Sequence, residues 1–359
     1  MSDSLAAAYH ELGERLPKLA IGDLPTPVSR HAVPLDGKES EVFVKHDDVT
    51  SERYGGNKVR KLEFLLQRAK DRGARRVATF GAAGSNHALA TAIHATQHDF
   101  DCTCFLSHQK VTSNVARTLN MHRALGTEIV RWGGDVDNVA LYREYVQGRG
   151  TWVIPLGGTC WLGVVGFVNA GLELSQQVAA GLLPEPDHIY MACGTTGSVA
   201  GLTLGLAAAG LRTTVQAIQV ADNPFASEEK MRRLMAKTHF ILNRIDPKFV
   251  PSDWPDRVVW RDEFLAGGYA RVDDATANAV DFAKTELDLS LETTYTGKAM
   301  AAMLHDLRQR GDMSCLYWNT YNSRELPAGD AAPESWDSIP EDFSRYFTSS
   351  SASRNSFAQ

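Results

Sequence analysis

Lys58 follows Tyr54-Gly55-Gly56-Asn57 and opens the run KVRKLEF. Glycines let a backbone come close to a ligand, and a lysine beside such a turn is partly desolvated. Desolvation disfavours the ammonium and frees the amine as a nucleophile toward an aldehyde. Taken by itself, the segment reads more readily as a loop lysine in solvent.

Three other segments carry residue types suited to the same kind of site. In TFGAAGSNHALA, Ser85 and Asn86 stand where a strand gives way to a helix, with His87 next. Open α/β sheets bind ligands at such strand ends, and the free N–H groups of a helix start take a carboxylate or phenolate oxygen. In ACGTTGSVAGL, Gly194, Thr195, Thr196, Gly197 and Ser198 form a second such turn. Its N–H groups and hydroxyls make a phosphate cup that needs no cationic side chain. A purely structural glycine turn is the alternative. In LETTYTGKAMAAML, Tyr295 and Thr296 precede a helix that contains Lys298. The phenol reads either as packing or as an acid–base group, the latter if its pKa is lowered. The G-x-G-x-x-G spacing of a dinucleotide site and the G-K-[ST] end of a P-loop are both absent.

The elements that must position these turns alternate. RRVATFG, CTCFLS, EIVRWG and TWVIPLG read as strands, separated by the helical patterns HALATAIHATQ, SNVARTLNMHRALG and VDNVALYREYVQG. A second set, HIYMACG, TTVQAIQV and SCLYWNT with SVAGLTLGLAAAG and ATANAVDFAKTEL, follows a glycine-punctuated junction. The β-α order with short connections predicts parallel sheets covered by helices. The 359 residues suit two domains.

Composition narrows the function classes. A net charge of −6 with scattered Lys and Arg argues against nucleic acid, and no apolar run is long enough to cross a bilayer. The five cysteines are odd in number and irregular in spacing, and Met1 to His10 lack the order of a secretory signal. A reducing cytoplasm is expected. Cys102 and Cys104 read as buried strand residues, and His94 and His98 as one helix face without a third ligand. No metal is expected.

With these motifs in this order, GGNKVRKLE, GSNHA, GTTGS and TYTGKAM, the sequence resembles the D-cysteine desulfhydrase and 1-aminocyclopropane-1-carboxylate (ACC) deaminase family. Those are pyridoxal-5′-phosphate (PLP) enzymes of the tryptophan-synthase-β fold, fold type II. The resemblance spans roughly Leu24 to Thr320. It implies a two-domain α/β fold, each domain a mainly parallel open sheet flanked by helices. The smaller domain would run over 62–171, the larger over 1–61 plus 172–335, with a partly disordered tail over 336–359 that Trp336, Phe343, Tyr346 and Phe347 could dock. It also implies a PLP-dependent lyase acting on a small amino acid, and a homodimer.

Site residues follow from the same resemblance. Lys58 would carry the cofactor as a Schiff base, with Asn57 beside it. Asn86 would contact the ring hydroxyl, Gly194 to Ser198 would hold the phosphate, and Thr296 would face the pyridine nitrogen. Thr320 is the surviving member of the late His-Thr-Gly-Gly motif. Ser85, Asn86, His87, Trp161 and Tyr295 would meet the substrate, and Lys58, Ser85 and Tyr295 would be catalytic. The ACC-deaminase branch carries Glu where this chain has Thr296, so Thr296 and His87 both match the desulfhydrase branch. A hydroxyl there gives a shallower electron sink than a carboxylate, which suits loss of a good β-leaving group. Glu52 and Arg53, the turn Gly157-Gly158-Thr159-Cys160 before Trp161, and Asn319-Thr320-Tyr321-Asn322 depart from the family pattern. Cysteate losing sulfite is the substrate variant that Arg53 would suit, if it faces the pocket.

Overall fold

The computed structural model describes residues 3–147, 150–310, 313–327, 329, 331–333, 335 and 338–347. In chain order the elements are α1 (Ser4–Ala8), α2 (His10–Arg15), β1 (Val28–Leu35), β2 (Lys38–His46), α3 (Lys58–Asp71), β3 (Arg76–Ala82) and α4 (Asn86–Gln97). Next come β4 (Asp101–Ser107), α5 (Ser113–Ala124), β5 (Glu128–Arg131), α6 (Asn138–Val146), β6 (Thr151–Val153) and α7 (Trp161–Ala179). Then follow β7 (His188–Cys193), α8 (Gly197–Ala208), β8 (Thr214–Gln219), α9 (Glu228–Ile245), β9 (Val258–Arg261), α10 (Asp274–Glu286), α11 (Thr296–Arg310) and β10 (Cys315–Asn319). A 3-10 turn spans Glu341–Tyr346. Among the described residues no helix is long and apolar enough to cross a membrane.

The chain divides into two compact units. Unit 1, Met1–Phe64 with Thr159–Arg324, holds a sheet of order β1-β2-β10-β7-β8-β9. All its pairings are parallel except the β1–β2 hairpin. That hairpin turns at Asp36 and Gly37, both at positive φ (49° and 79°), the geometry that an Asp-Gly pair favours between two strands. Unit 2, Leu65–Gly158 with Glu325–Gln359, holds the parallel sheet β5-β4-β3-β6.

Strands covered on both faces read as apolar runs, as β7 and β10 do. In unit 1, Tyr190, Ile218 and Tyr317 pack with Met300, Met303 and Leu304 of α11. In unit 2, Ala78, Phe105, Val130 and Val146 pack with Phe80 and Trp132, whose rings lie 5.1 Å apart. Cys102 and Cys104 are buried in β4.

The unit boundaries differ from the 62–171 span read from the sequence. Helix α7 belongs with α8 in unit 1, because small residues let the two backbones meet. A Cβ on Gly171 would fall 2.7 Å from the Leu206 nitrogen, and side chains on Gly201 or Gly205 would overlap the Val164 or Val168 carbonyl. The tail over 336–359 was expected to dock in part through Trp336, Phe343, Tyr346 and Phe347. Ile339, Phe343, Tyr346 and Phe347 are buried in unit 2. Trp336 and the stretch from Thr348, where disorder was expected, lie outside the described residues.

Candidate active site

The first turn of α3 is fixed by buried charge. Arg60 donates from Nε and a terminal nitrogen to the two Asp47 oxygens, at 2.9 and 2.8 Å, and to Glu173 at 2.9 and 3.0 Å. Lys45 reaches the same Glu173 at 2.6 Å. These ion pairs hold Glu173 down at about 2 and push Arg60 up, while burial pulls Lys45 down to about 8. Buried pairs of this kind specify position more than they stabilise. Here they tie α3 to the end of β2 and to α7.

The turn that delivers Lys58 is laced to its surroundings through the backbone. Gly55 donates to Asn322 Oδ1 at 2.7 Å, Gly56 to the Asp47 carbonyl at 2.7 Å, and Asn57 to the Thr320 carbonyl at 3.0 Å. Gly56 sits at φ +92°, and a Cβ there would lie 2.9 Å from the Thr320 oxygen, so glycine is needed on two counts. Lys58 Nζ donates to Asn57 Oδ1 at 2.9 Å, and Asn57 Nδ2 donates to Ser198 Oγ at 3.1 Å. One hydrogen-bonded string therefore joins Lys58 to the first turn of α8. Lys58 keeps some exposure as a residue, yet desolvation brings its ammonium down to about 8.

Gly194 to Ser198 form a cup at the carboxyl end of β7. Thr196 holds φ +70°, an uncommon conformation for a β-branched residue and a marker of strain kept for function. Its left-handed step turns the chain into α8, whose first N–H groups have no partner inside the helix. A Cβ on Gly197 would lie 3.0 Å from Lys61 Nζ and 3.3 Å from Thr159 Oγ1, and one on Gly194 3.3 Å from the Tyr295 ring. The buried Thr196 hydroxyl lacks a hydrogen-bond partner, and Thr195 meets Thr159 at 2.6 Å.

Lys61 stands beside the cup, which the sequence reading had described without a cationic side chain. It is 2% exposed, and burial, then the neighbouring Lys58, lower its pKa well below the usual lysine value. A bound anion would restore that ammonium. The N–H groups of a helix start, the orphaned Thr196 hydroxyl and a buried amine beside Gly197 suit a phosphate group. The signal in the sequence was spacing: Lys61 stands three residues after Lys58, on the same face of a helix.

Tyr295 lies against this cup and meets a residue that the sequence reading missed. Its hydroxyl is 2.7 Å from that of Tyr269, with the rings 5.8 Å apart and steeply inclined. The loop of Tyr269 is held by Asp222, which accepts its N–H at 3.0 Å, and by Lys298, which donates to the carbonyls of Leu265 and Gly268 at 2.7 and 3.0 Å. Burial, then Tyr269 and Glu292, push the Tyr295 phenol well above its ordinary value. The lowered pKa that acid–base use as a phenolate requires is thus not found. Tyr295 is a neutral phenol.

The Thr296 hydroxyl is shared with Glu292. It accepts the Glu292 N–H at 2.9 Å and lies 3.1 Å from Glu292 Oε1. The Glu292 carboxylate also accepts the N–H groups of Thr294, Tyr295 and Thr296 at 2.7, 2.8 and 2.8 Å, capping α11. Among the departures, Glu52 and Arg53 are exposed, Trp161 is partly buried where α7 begins, and Asn319 and Asn322 are buried.

Unit 1 thus brings together Lys58, Asn57, the 194–198 cup, Tyr295 and Thr320, with Thr296 next in the chain. Ser85, Asn86 and His87 lie in unit 2. Ser85 caps α4, its Oγ accepting the Ala88 N–H at 3.2 Å, and Asn86 begins that helix, partly exposed. His87 is buried, with Nε2 2.9 Å from Thr79 Oγ1. Thr79 donates its own proton to the Ile154 carbonyl, so His87 Nε2 is the donor in that pair.

The family model described as pyridoxal-phosphate dependent enzyme matches residues 19–314. The chain belongs to this family. Among curated relatives of this PLP enzyme, D-cysteine desulfhydrase of Salmonella choleraesuis is 32% identical over 307 residues, 82% of this chain and 90% of the relative. The corresponding protein of Salmonella paratyphi C matches at the same identity and coverage. The crystal structure of an ACC deaminase homologue superposes with a TM-score of 0.72 at 26% identity, covering 89% of this chain and 95% of that one. A fungal L-serine ammonia-lyase from Rhizomucor miehei shares the fold, with a TM-score of 0.57 at 16% identity, over 84% of this chain and 95% of that one. The protein is a PLP-dependent lyase of fold type II.

Proposed function

We propose that the enzyme eliminates the β-substituent of a small amino acid, with D-cysteine the leading substrate: D-cysteine and water give pyruvate, hydrogen sulfide and ammonia. Support comes from the desulfhydrase relatives and, above all, from one arrangement. The Lys58 amine is hydrogen-bonded through Asn57 to Ser198 of the cup, beside the buried Lys61 amine.

In this reading Lys58 binds the cofactor covalently. Gly194 to Ser198 and Lys61 hold its phosphate, and Asn57, Asn86, Thr296 and Thr320 orient it. Bound PLP supplies an electron sink for the carbanion left when the substrate α-carbon loses its proton. The Lys58 amine would take that proton. The N–H groups at the start of α4, with Ser85 and Asn86, take the substrate carboxylate. His87 supports that turn from beneath through Thr79. Tyr295, neutral and paired with Tyr269, gives a proton to the departing sulfur; Trp161 limits the size of the β-substituent. We further propose a homodimer in a reducing cytoplasm, consistent with five free cysteines.

The test is direct. Holoenzyme is reduced with borohydride and digested, and the pyridoxyl group is mapped; it belongs on Lys58. Wild type is then assayed for 2-oxo acid and sulfide release from D-cysteine, and for ammonia release from ACC and cysteate. Pyridoxyl on Lys61 or Lys298 refutes the site. Robust ACC deamination or sulfite release without sulfide release from D-cysteine refutes the substrate.

A further inference from the structure

The 3-10 turn Glu341–Tyr346 sits at the far end of the sequence from the Ser85–Asn86 turn, yet the two are joined inside unit 2. Tyr346 is 1% exposed, and its hydroxyl accepts the Gln109 N–H at 2.8 Å. It donates to the Gln109 carbonyl at 3.2 Å and lies 3.1 Å from His108 Nδ1. Gln109 then passes the constraint on: its Oε1 accepts the Gly84 N–H at 3.0 Å. Gly84 is the residue before Ser85.

A second route of packing reinforces the first. A Cβ on Gly84 would lie 3.0 Å from both Gln109 Nε2 and Val115 Cγ2, so the turn is wedged between that amide and α5. The 3-10 turn packs against α5, and Phe343, fully buried, lies on His108 with ring centroids 5.2 Å apart. Gln109 therefore has its backbone clamped by Tyr346 and its side chain clamped on Gly84. Gly81 and Ala82 end β3, and Ala83 donates to the Ser107 carbonyl at 2.9 Å, so Gly84 is where Gln109 adds its own hold on the turn.

We infer that Tyr346 is a positioning residue for the substrate-carboxylate turn, acting through Gln109, so that the C-terminal segment sets substrate affinity. This rests on the reading that Ser85 and Asn86 take the carboxylate. Carboxylate binding at a helix start depends on N–H groups that all point to one spot. A turn free to shift by a fraction of an ångström loses binding before it loses chemistry at Lys58, which unit 1 positions by separate contacts.

The test uses full-length holoenzyme with Tyr346→Phe, which keeps the ring and removes the hydroxyl, and Gln109→Ala. Amide hydrogen exchange is followed on peptides covering residues 82–88, alongside KM and kcat for D-cysteine, the visible cofactor band and the melting temperature. Faster exchange in that peptide, with KM raised about tenfold, the scale of one lost hydrogen bond, and with kcat and the cofactor band kept, is the expected result. Restoring an acceptor with Gln109→Glu should recover the slow exchange that Gln109→Ala loses. Unchanged exchange and KM in both first variants would overturn the inference. So would parallel loss of the cofactor band, kcat and melting temperature, which would mark a general structural role. If the wild type does not turn over D-cysteine but the variants still speed exchange in 82–88, the positioning holds and the substrate reading falls.

Discussion

Changing the pH over cofactor-free protein isolates the Lys58 amine from every later step. An ordinary lysine titrates at 10.5, whereas desolvation places Lys58 at about 8. Only the neutral amine attacks an aldehyde, so the rate of PLP capture follows the neutral fraction. At pH 7 that fraction is about 9% for Lys58 against about 0.03% for an ordinary lysine, a gain of roughly 300-fold. The profile is as diagnostic as the size. Capture should rise about tenfold from pH 6 to 7, about fivefold from 7 to 8, and less than about twofold beyond. The assay mixes apoprotein with excess PLP in a stopped-flow cell and follows growth of the visible band, with Lys58→Arg as the blank. A rate that still climbs tenfold per pH unit through pH 9.5 would show that Lys58 is an ordinary solvated lysine, and the argument from burial would fail.

Other expectations follow from individual contacts. Lys61→Met should raise the PLP dissociation constant roughly 30- to 1,000-fold, from about 2–4 kcal/mol for a buried charge-assisted contact, measured by equilibrium dialysis; unchanged affinity would remove Lys61 from the cup. Gly197→Val, whose Cβ would stand 3.0 Å from the Lys61 amine, should abolish tight cofactor binding while the apoprotein stays folded by circular dichroism. Arg60→Met leaves Asp47 and Glu173 buried without their cation and should cost about 3–5 kcal/mol in urea unfolding. Because Glu173 is depressed from 4.5 to about 2, its contribution is fully present above pH 4.5 and is lost as pH falls through about 2; Glu173→Gln should flatten that acid limb of stability. Lys298→Met frees the Tyr269 loop and should lower kcat more than it raises the PLP dissociation constant.

The alternation of strands and helices was legible because buried parallel strands and the helices between them carry strong, opposite periodicities. What escaped had weaker or longer-range signals. The β1–β2 hairpin announced itself only through Asp36-Gly37, and its strands mix exposed charge with Val33, Val42 and Val44 at the core face. The α7 boundary depended on glycines in two distant segments fitting one another, a property of pairs that neither segment shows alone. Tyr269 lies in a loop with Ala266 and Ala270 at positive φ, and only the fold brings it to Tyr295. Lys61 was visible as a residue and legible by spacing, but its function depends on α8 arriving beside it.

Thr296, expected to face the pyridine nitrogen, stands in surroundings that its residue type alone does not show. A hydroxyl by itself is a neutral donor, and on that basis the ring nitrogen would meet no carboxylate. In the fold, Glu292 lies hydrogen-bonded to that hydroxyl and is committed to capping α11. Three backbone donors already neutralise much of the carboxylate's field, and its geometry is fixed by the cap. A Thr296→Glu substitution would therefore put a second carboxylate beside Glu292 rather than install one in neutral surroundings. Two adjacent carboxylates repel, so the new group would not act as the lone carboxylate that an ACC-deaminase-like sink needs. A fair test of the electron sink at this position therefore changes Glu292 and Thr296 together.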